Sequence, residues 1–411
     1  MNLLKISWNN LRYKPLNTAL SIVLLAFGVG IISLMILLKD QLTEKFDRNI
    51  KDIDFVLAAK GSPLQSILAN IYHVDAPTGN ISVTEAKRII RNPMVQEVIP
   101  LAYGDNYEKF RIVGTTSKYA EHYGCAVGEG RLFEEPFEAT IGSAVAKETG
   151  LGVGDTFTSM HGFDNAAEGD AEAHHHDKPF TVVGIYAPAD CVIDNLILTP
   201  VESTWLVHDH GNEDTQSLAN TDSTASADPD AGREMTAYLI KKRNKGAFGM
   251  LSKLTEDTTM QLANVAVENS RLMNNFGIGL SAITAIAIVI TVLSFISIFI
   301  SLFNSMKERK YELALMRTMG GTRLTLFTLI LLEGIVLVVL GFVSGILLSR
   351  IGLLVLSNTM KENFHYGLDK MGITLSEVFL FAITLFIGIV ASLLPAIKAL
   401  KMDISKTLAN A

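Results

Sequence analysis

Four stretches of the chain are almost free of charge: Leu16–Leu38, Phe276–Phe303, Leu324–Leu348 and Ile373–Leu394. The first two contain no ionisable residue, the third only Glu333 and the fourth only Glu377. At a rise of about 1.5 Å per residue, each is long enough to cross a hydrocarbon core about 30 Å thick. The pattern predicts four transmembrane helices over residues 16–38, 276–303, 324–348 and 373–394. The first block runs for 23 residues into Leu37-Leu38-Lys39-Asp40-Gln41 without a small-residue cleavage site. It therefore reads as a retained anchor rather than a secretory leader. Upstream of it, Leu4, Trp8 and Leu11 recur at helical spacing among Lys5, Asn9 and Arg12, and Pro15 closes the segment. Residues 1–15 are expected to form an amphipathic helix lying in the membrane interface.

Lysine and arginine fix the expected orientation. Lys5, Arg12 and Lys14 precede the first span, and Lys307, Arg309, Lys310, Arg317 and Arg323 fill the 304–323 loop. Lys398, Lys401 and Lys406 follow the fourth span, whereas Arg350, Lys361 and Lys370 between the third and fourth are offset by Glu362 and Asp369. Both termini and the 304–323 loop are thus expected in the cytoplasm. Residues 39–273 would form one large domain on the opposite side, and 274–411 a membrane domain ending in a cytoplasmic tail. In the large domain, Lys109–Gly114, Phe180–Tyr186 and Asn195–Thr199 read as strands. Thr84–Asn92 and Ser143–Thr149 read as helices. The fold class is an α-helical membrane protein in a 1 + 3 arrangement, with an α+β extracytoplasmic domain inserted between helices 1 and 2. A second lobe is expected, because the polar stretch 208–234 interrupts the alternation. A helix from Lys242 to about Asn274, with Leu251, Leu254, Leu262, Val265 and Val267 on its apolar face, would return the chain to the membrane.

Composition agrees with this layout: 49% of residues are hydrophobic and 19% charged, against about a quarter charged in soluble domains. A soluble protein is excluded. The net charge of −7 is local, because residues 161–178 and 208–234 together hold 12 acidic and 2 basic residues, leaving the remainder at +3. No nucleic-acid partner is expected. The same two stretches contain His174, His175 and His176, then His208 and His210, beside carboxylates. Imidazole and carboxylate donors of this kind suit zinc, nickel or copper. Weak divalent-metal capture, a plain solvated loop and a structural metal site all remain open. Cys125 and Cys191 would both lie outside the cytoplasm, where disulfides persist, either bonded to each other or buried separately. Glu333, roughly 14 Å into its span, should face other helices, as a hinge or relay or as a protonated carboxyl bonded to a neighbour. Gly341 and Gly345 on the same span form a small-xxx-small motif that permits close helix approach. The chain has no His-Glu-x-x-His, no Gly-x-Ser-x-Gly and no Gly-Lys dipeptide, hence no Walker-type loop. No catalytic residue and no cofactor bound by this chain are expected.

The most specific motif is Met306-Lys-Glu-Arg-Lys-Tyr-Glu312-Leu-Ala-Leu-Met-Arg317-Thr-Met-Gly320-Gly-Thr-Arg323, continuing through Glu333-Gly334 to Gly341 and Gly345. It resembles the FtsX/MacB-like permeases, the membrane subunits of mechanotransmitting ABC systems. Leu394-Pro395-Ala396-Ile-Lys-Ala399 is similar to that family's C-terminal tail, with Ile404 departing where a proline commonly stands. Gly130-Arg131-Leu132-Phe133, Ile141-Gly-Ser-Ala-Val-Ala-Lys147 and Phe180-Thr-Val-Val-Gly184-Ile185 resemble its periplasmic core domain, while 161–178 and 208–234 stand apart as insertions. The resemblance implies an inner-membrane permease that couples ATP hydrolysis by a separate ABC ATPase to movement of its periplasmic domains. Export, lipoprotein extraction or envelope regulation would be its task, as a homodimer or paired permease with a periplasmic protein or lipoprotein as further partner. It also implies that Glu308, Arg309, Glu312, Arg317 and Gly320, on a helix from about Ser305 to Met319, couple the chain to that ATPase. Two other readings are a zinc-type transport or sensing permease and a membrane anchor that recruits a periplasmic partner without ATP.

Overall fold

The computed structural model describes residues 3–13, 15–160, 178–208, 230, 232–364, 367 and 371–401. Along the chain, helices α1 (Leu3–Tyr13) and α2 (Pro15–Asn49) come first. There follow β1 (Phe55–Ala59), α3 (Pro63–Asn70), β2 (Ile81–Ser82), α4 (Val83–Ile90), β3 (Val95–Tyr107), β4 (Phe110–Thr115), α5 (Lys118–Tyr123), β5 (Val127–Gly130), β6 (Glu138–Ile141) and α6 (Ser143–Thr149). Next are β7 (Thr156–Phe157), β8 (Phe180–Tyr186), a 3-10 turn (Val192–Asn195), β9 (Leu196–Pro200), α7 (Val201–His208), β10 (Glu234–Met235), β11 (Ala237–Lys242), α8 (Ala247–Lys253) and β12 (Met260–Asn264). Four helices complete the chain: α9 (Val265–Glu308), α10 (Lys310–Thr318), α11 (Arg323–Phe364) and α12 (Leu375–Leu400). Two compact units result, an α/β unit Glu44–Asn274 and a helical unit Met1–Thr43 with Asn275–Ala411.

In the α/β unit a ten-stranded sheet runs β12-β1-β11-β3-β4-β9-β6-β8-β5, with β7 paired to β8, while β10 and β2 pair separately. The β4/β9 and β6/β8 pairs are parallel and the others antiparallel. Period-2 alternation sends neighbouring residues of β1 to opposite faces. Val56 and Ala58 pack with Ile67 of α3 and Ile71 just beyond it, Tyr119 of α5 and Val192 and Ile193 of the 3-10 turn. Phe55 and Leu57 pack with Ala86 and Ile89 of α4 and Leu251 of α8. A third cluster joins Phe110, Ile141, Phe180, Val182 and Ile197 to Val145 of α6. β9 is buried along its whole length between β4 and β6.

Two expectations for this unit are corrected. No second lobe forms among the described residues: after the polar stretch the chain returns as β11, inserted between β1 and β3 of the same sheet. The segment after Lys242 is not one helix either. α8 ends at Lys253, and Met260–Asn264 pairs antiparallel with β1 before α9 starts. Burial of Met260 and Leu262 on one side of a strand mimics part of a helical stripe, which hid β12 in the sequence.

His73, at φ +55°, sits in the core of this unit between two tyrosines. Tyr103 Oη donates to the Ala69 carbonyl at 2.7 Å and so accepts from His73 Nδ1 at 2.8 Å. Nε2 then accepts from Tyr119 Oη at 2.7 Å. Burial, and secondarily the Arg111 guanidinium, hold His73 well below the usual histidine value of 6.5. The folded chain therefore stays neutral at this site while an unfolded chain gains a proton below that value. Stability is lost as pH falls from the unfolded pKa toward the depressed folded one, by up to about 1.4 kcal/mol per pH unit. The melting temperature of the detergent-solubilised chain should fall between about pH 7 and 5, and His73→Asn should flatten that slope.

Among the described residues, four helices are long and apolar enough to cross a membrane. All begin or end away from the expected bounds. α2 runs on to Asn49, α9 starts at Val265 instead of residue 276, and α11 reaches Phe364. α12 runs from Leu375 through Pro395 to Leu400, where the sequence pattern places the end at Leu394. A proline is tolerated in such a helix when neighbours satisfy the freed backbone groups. The expected helix 305–319 is divided: residues 305–308 are the end of α9, and α10 begins after Arg309, whose φ of −99° and ψ of 18° leave the helical region.

Candidate functional site

Arg309 forms an elbow. Its amide bonds back to the Ser305 carbonyl at 3.1 Å, and its own carbonyl accepts from Leu313 at 3.0 Å, so hydrogen bonding continues across a residue whose dihedrals are not helical. Beyond it, α10 is held by its inner face. Leu313 is buried with Met306, Leu326, Leu329, Ile330, Ala396 and Ala399, and Met316 packs against the same cluster. Tyr311, Glu312, Leu315 and Met319 remain exposed, Met319 at 87%. The helix ends on Gly320, at φ +97°. Gly320 N–H bonds the Arg317 carbonyl at 3.2 Å and Gly321 N–H the Met316 carbonyl at 2.9 Å. This is a Schellman stop, whose left-handed residue favours glycine.

The elbow side chain points inward. Arg309 Nη1 lies 3.4 Å from Glu333 Oε1, and its Nε donates to Glu312 Oε2 at 2.9 Å. Asn10 of α1 donates to the same Glu333 oxygen at 2.5 Å. Glu333 is thus neither a lone charge nor bonded only to a neutral neighbour: α1, the elbow and α11 meet at its carboxylate. One helical step on, a Cβ at Gly334 would collide with Ser392 Oγ of α12, so that helix passes directly against the junction.

α1 presents Leu3, Ile6, Ser7, Asn10 and Leu11 to the bundle. The expected apolar face Leu4–Trp8–Leu11 is therefore divided, with Leu4 and Trp8 exposed and only Leu11 packed inside. On the face turned to the bundle, Asn10 meets Glu333.

A second buried ion pair was not foreseen. Arg350 of α11 binds Glu377 of α12 through both guanidinium nitrogens, at 2.9 and 2.8 Å, and the Gly372 carbonyl at 2.9 Å. Glu377 is 1% exposed, and its remaining acceptor capacity is filled by Ser33 Oγ of α2 at 2.6 Å and by the Thr374 amide at 2.9 Å. Ser33 Oγ also lies 3.0 Å from Ser349 Oγ; with its single proton given to Glu377, it accepts from Ser349 there. Seventeen residues of α11 separate Glu333 from Arg350, about 25 Å of helix. Between the two junctions, α2 and α11 pack through glycines. A Cβ at Gly345 would sit 2.9 Å from the Ala26 carbonyl oxygen, and one at Gly341 2.6 Å from Leu25 Cδ2.

Of the residues named from sequence, Glu308 and Glu312 are exposed and Arg317 is half-buried. Arg309 is turned into the bundle and ties α10 down instead of facing outward. Cys125 and Cys191 have Sγ atoms 3.5 Å apart and are not bonded. His208 ends α7, whereas His174, His175, His176 and His210 lie outside the described residues. Among the described residues no three histidine, cysteine or acidic side chains gather as a metal site.

Four long apolar helices, with an α+β domain between the first and second, define the class of a multi-pass membrane protein. Residues 18–238 match the MacB-like periplasmic core domain and residues 284–404 the FtsX-like permease C-terminal family, and the chain belongs to the FtsX/MacB-like ABC transporter permeases. It is 23% identical over 424 residues to the pyoverdine export ATP-binding/permease protein PvdT of Pseudomonas putida. It is 24% identical over 426 residues to that of Pseudomonas entomophila. Each alignment covers 99% of this chain and 59% of the relative, so the chain spans about three fifths of these proteins' length. The periplasmic region of MacB from Actinobacillus actinomycetemcomitans aligns over 56% of this chain and 98% of its own, at 13% identity and a TM-score of 0.34. The extracellular domain of the noncanonic ABC-type transporter YknZ from Gram-positive bacteria aligns over 52% and 99%, at 11% identity and a TM-score of 0.29.

Proposed function

We propose that a P-loop ATPase on a separate chain docks on the outer face of α10 and that this chain converts its closing motion into movement of the α/β unit. One observation carries the reading. α10 is exposed along Tyr311, Glu312, Leu315 and Met319, yet its inner face and the Arg309 elbow fasten it to α1, α9 and α11. A push on α10 is therefore passed to the bundle rather than absorbed by a loose loop. The basic flanks support a cytoplasmic α10 and an α/β unit outside the inner membrane. α2 and α9 each have residues in both units and would transmit the motion between them. Leu4 and Trp8, exposed and apolar, would rest in the interfacial lipid. The permease works as a homodimer or paired with a second permease chain. The relatives named for pyoverdine export favour outward movement or extraction of envelope components over uptake.

Glu312→Ala with Arg317→Ala is the test. ATP hydrolysis by the complex reconstituted in lipid should fall roughly tenfold, within the range of typical coupling energies. The melting temperature should move far less than in Arg309→Ala, because Glu312 is exposed and its pair with Arg309 faces water on that side. Undiminished, permease-stimulated hydrolysis in the double variant would refute docking through this face.

A further inference from the structure

Within the α/β unit, the end of α2 is gripped by two separate pieces of chain. One is the loop ahead of the 3-10 turn. Lys45 Nζ and Arg48 Nη1 reach the Asp190 carboxylate at 3.3 and 2.7 Å, and the Val192 amide donates to Asn49 Oδ1 at 3.0 Å. The other is the end of α5. Tyr123 Oη donates to the Asn49 carbonyl at 2.6 Å, and His122 Nε2 meets the Lys51 carbonyl. Each piece contains one cysteine beside its gripping residues. Cys191 stands between Asp190 and Val192. Cys125 follows Tyr123 by two residues, after Gly124 turns the chain at φ +74°. The two sulfurs are 3.5 Å apart with a hydrogen bond between them. Cys125 is half-buried and Cys191 buried.

We propose that Cys125 and Cys191 form a dithiol–disulfide pair that locks these two pieces together around the end of α2. The oxidant is a low-molecular-weight or protein disulfide met outside the cytoplasm. The more accessible Cys125 sulfur attacks it, giving a mixed disulfide and releasing one thiol. The Cys191 sulfur then displaces the second thiol and closes the Cys125–Cys191 bond. Two cysteine thiols are oxidised, one external disulfide is reduced to two thiols, and both protons leave with those thiols. Apart from such a bond, the grip includes water-exposed ion pairs of Lys45 and Arg48, a kind of contact that contributes little by itself. A covalent link between the two pieces would therefore change how firmly α2 is held. The pairing stands on the geometry, and only its consequence for motion along α2 rests on the permease reading.

The full chain in detergent, treated with oxidised glutathione, alkylated and peptide-mapped by mass spectrometry, tests this directly. The expected product is a single Cys125–Cys191-linked peptide pair, lighter by two hydrogens, with both alkylatable thiols lost and no glutathione retained. C191A should stop at a persistent glutathione adduct on Cys125, and C125S should yield no linked pair. Hydrogen exchange at the amides of residues 45–50 should be severalfold slower in the oxidised chain than in the reduced one. Two remaining thiols, or a wild-type chain halted at the Cys125 adduct, would overturn the pairing. Equal exchange in the two forms would overturn the lock. Neither readout involves an ATPase, so failure here is distinguishable from failure of the coupling proposal.

Discussion

Arg309→Ala should destabilise the detergent-solubilised chain by about 3–5 kcal/mol, far more than Glu333→Gln. The asymmetry follows from what each change leaves behind. Without Arg309, the Glu333 carboxylate stays buried beside Asn10, a neutral donor, and a buried charge stripped of its counter-ion is costly. Without the Glu333 charge, Arg309 still has Glu312 at 2.9 Å, and the amide oxygen of the substituted glutamine still accepts from Asn10. That variant should lose about 1 kcal/mol. The double variant should be more stable than Arg309→Ala alone, because the orphaned charge is gone. Melting curves of the four proteins form the cycle. Equal losses for the two single variants would mean that the junction does not hold an ionised Glu333.

Arg350→Ala should produce a comparable loss, about 3–5 kcal/mol, for a different geometric reason. Glu377 takes both guanidinium nitrogens of Arg350 along with Ser33 and the Thr374 amide, so four donors converge on one carboxylate. Lysine cannot reproduce the paired geometry. Arg350→Lys should therefore recover less than half of the loss, although it restores the charge. Ser33→Ala should cost about 1 kcal/mol, since one neutral donor to the carboxylate is removed while the fork persists. A lysine variant as stable as the parent chain would show that charge alone, without the fork, holds α11 to α12.

The membrane architecture was legible because a 22- to 28-residue stretch with at most one charged residue has few other physical meanings. The helix ends were not, since α2, α9 and α11 continue past their apolar runs through polar residues such as Asp40, Asn275 and Ser357. A hydrophobicity pattern registers where lipid ends, not where hydrogen bonding ends. Glu333 stood out as a lone charge in its block, yet its partners lie 24 and 323 positions away, and no local pattern connects them. Arg350 and Glu377 left a fainter mark. Thr374-x-x-Glu377 is a capping-box spacing, and the structure forms that box. It could have placed the start of α12 and shown that Glu377 faces the helix end rather than lipid. The α10 stop was readable from Gly320-Gly321, whereas the Arg309 elbow was not, because Glu308, Arg309 and Lys310 are all good helix formers. At the break, the Arg309 side chain reaches Glu333, a partner 24 positions away that no local preference registers. In the α/β unit, β4, β8 and β9 were read from their β-branched and aromatic runs between glycine, proline or aspartate, whereas β1, β3, β6 and β11 were not, and β12 was missed where short strand and helix patterns coincide.

Site-specific crosslinking within the assembled complex tests the central claim most directly. A photoreactive residue at Leu315, exposed on α10, is compared with one at Val153, exposed in the α/β unit. The expected result is a covalent adduct between position 315 and a P-loop ATPase, strengthened by ATP, with none from position 153. Reaction of the ATPase with position 153 instead, or with neither position in a complex that hydrolyses ATP, would contradict both the docking face and the orientation derived from it.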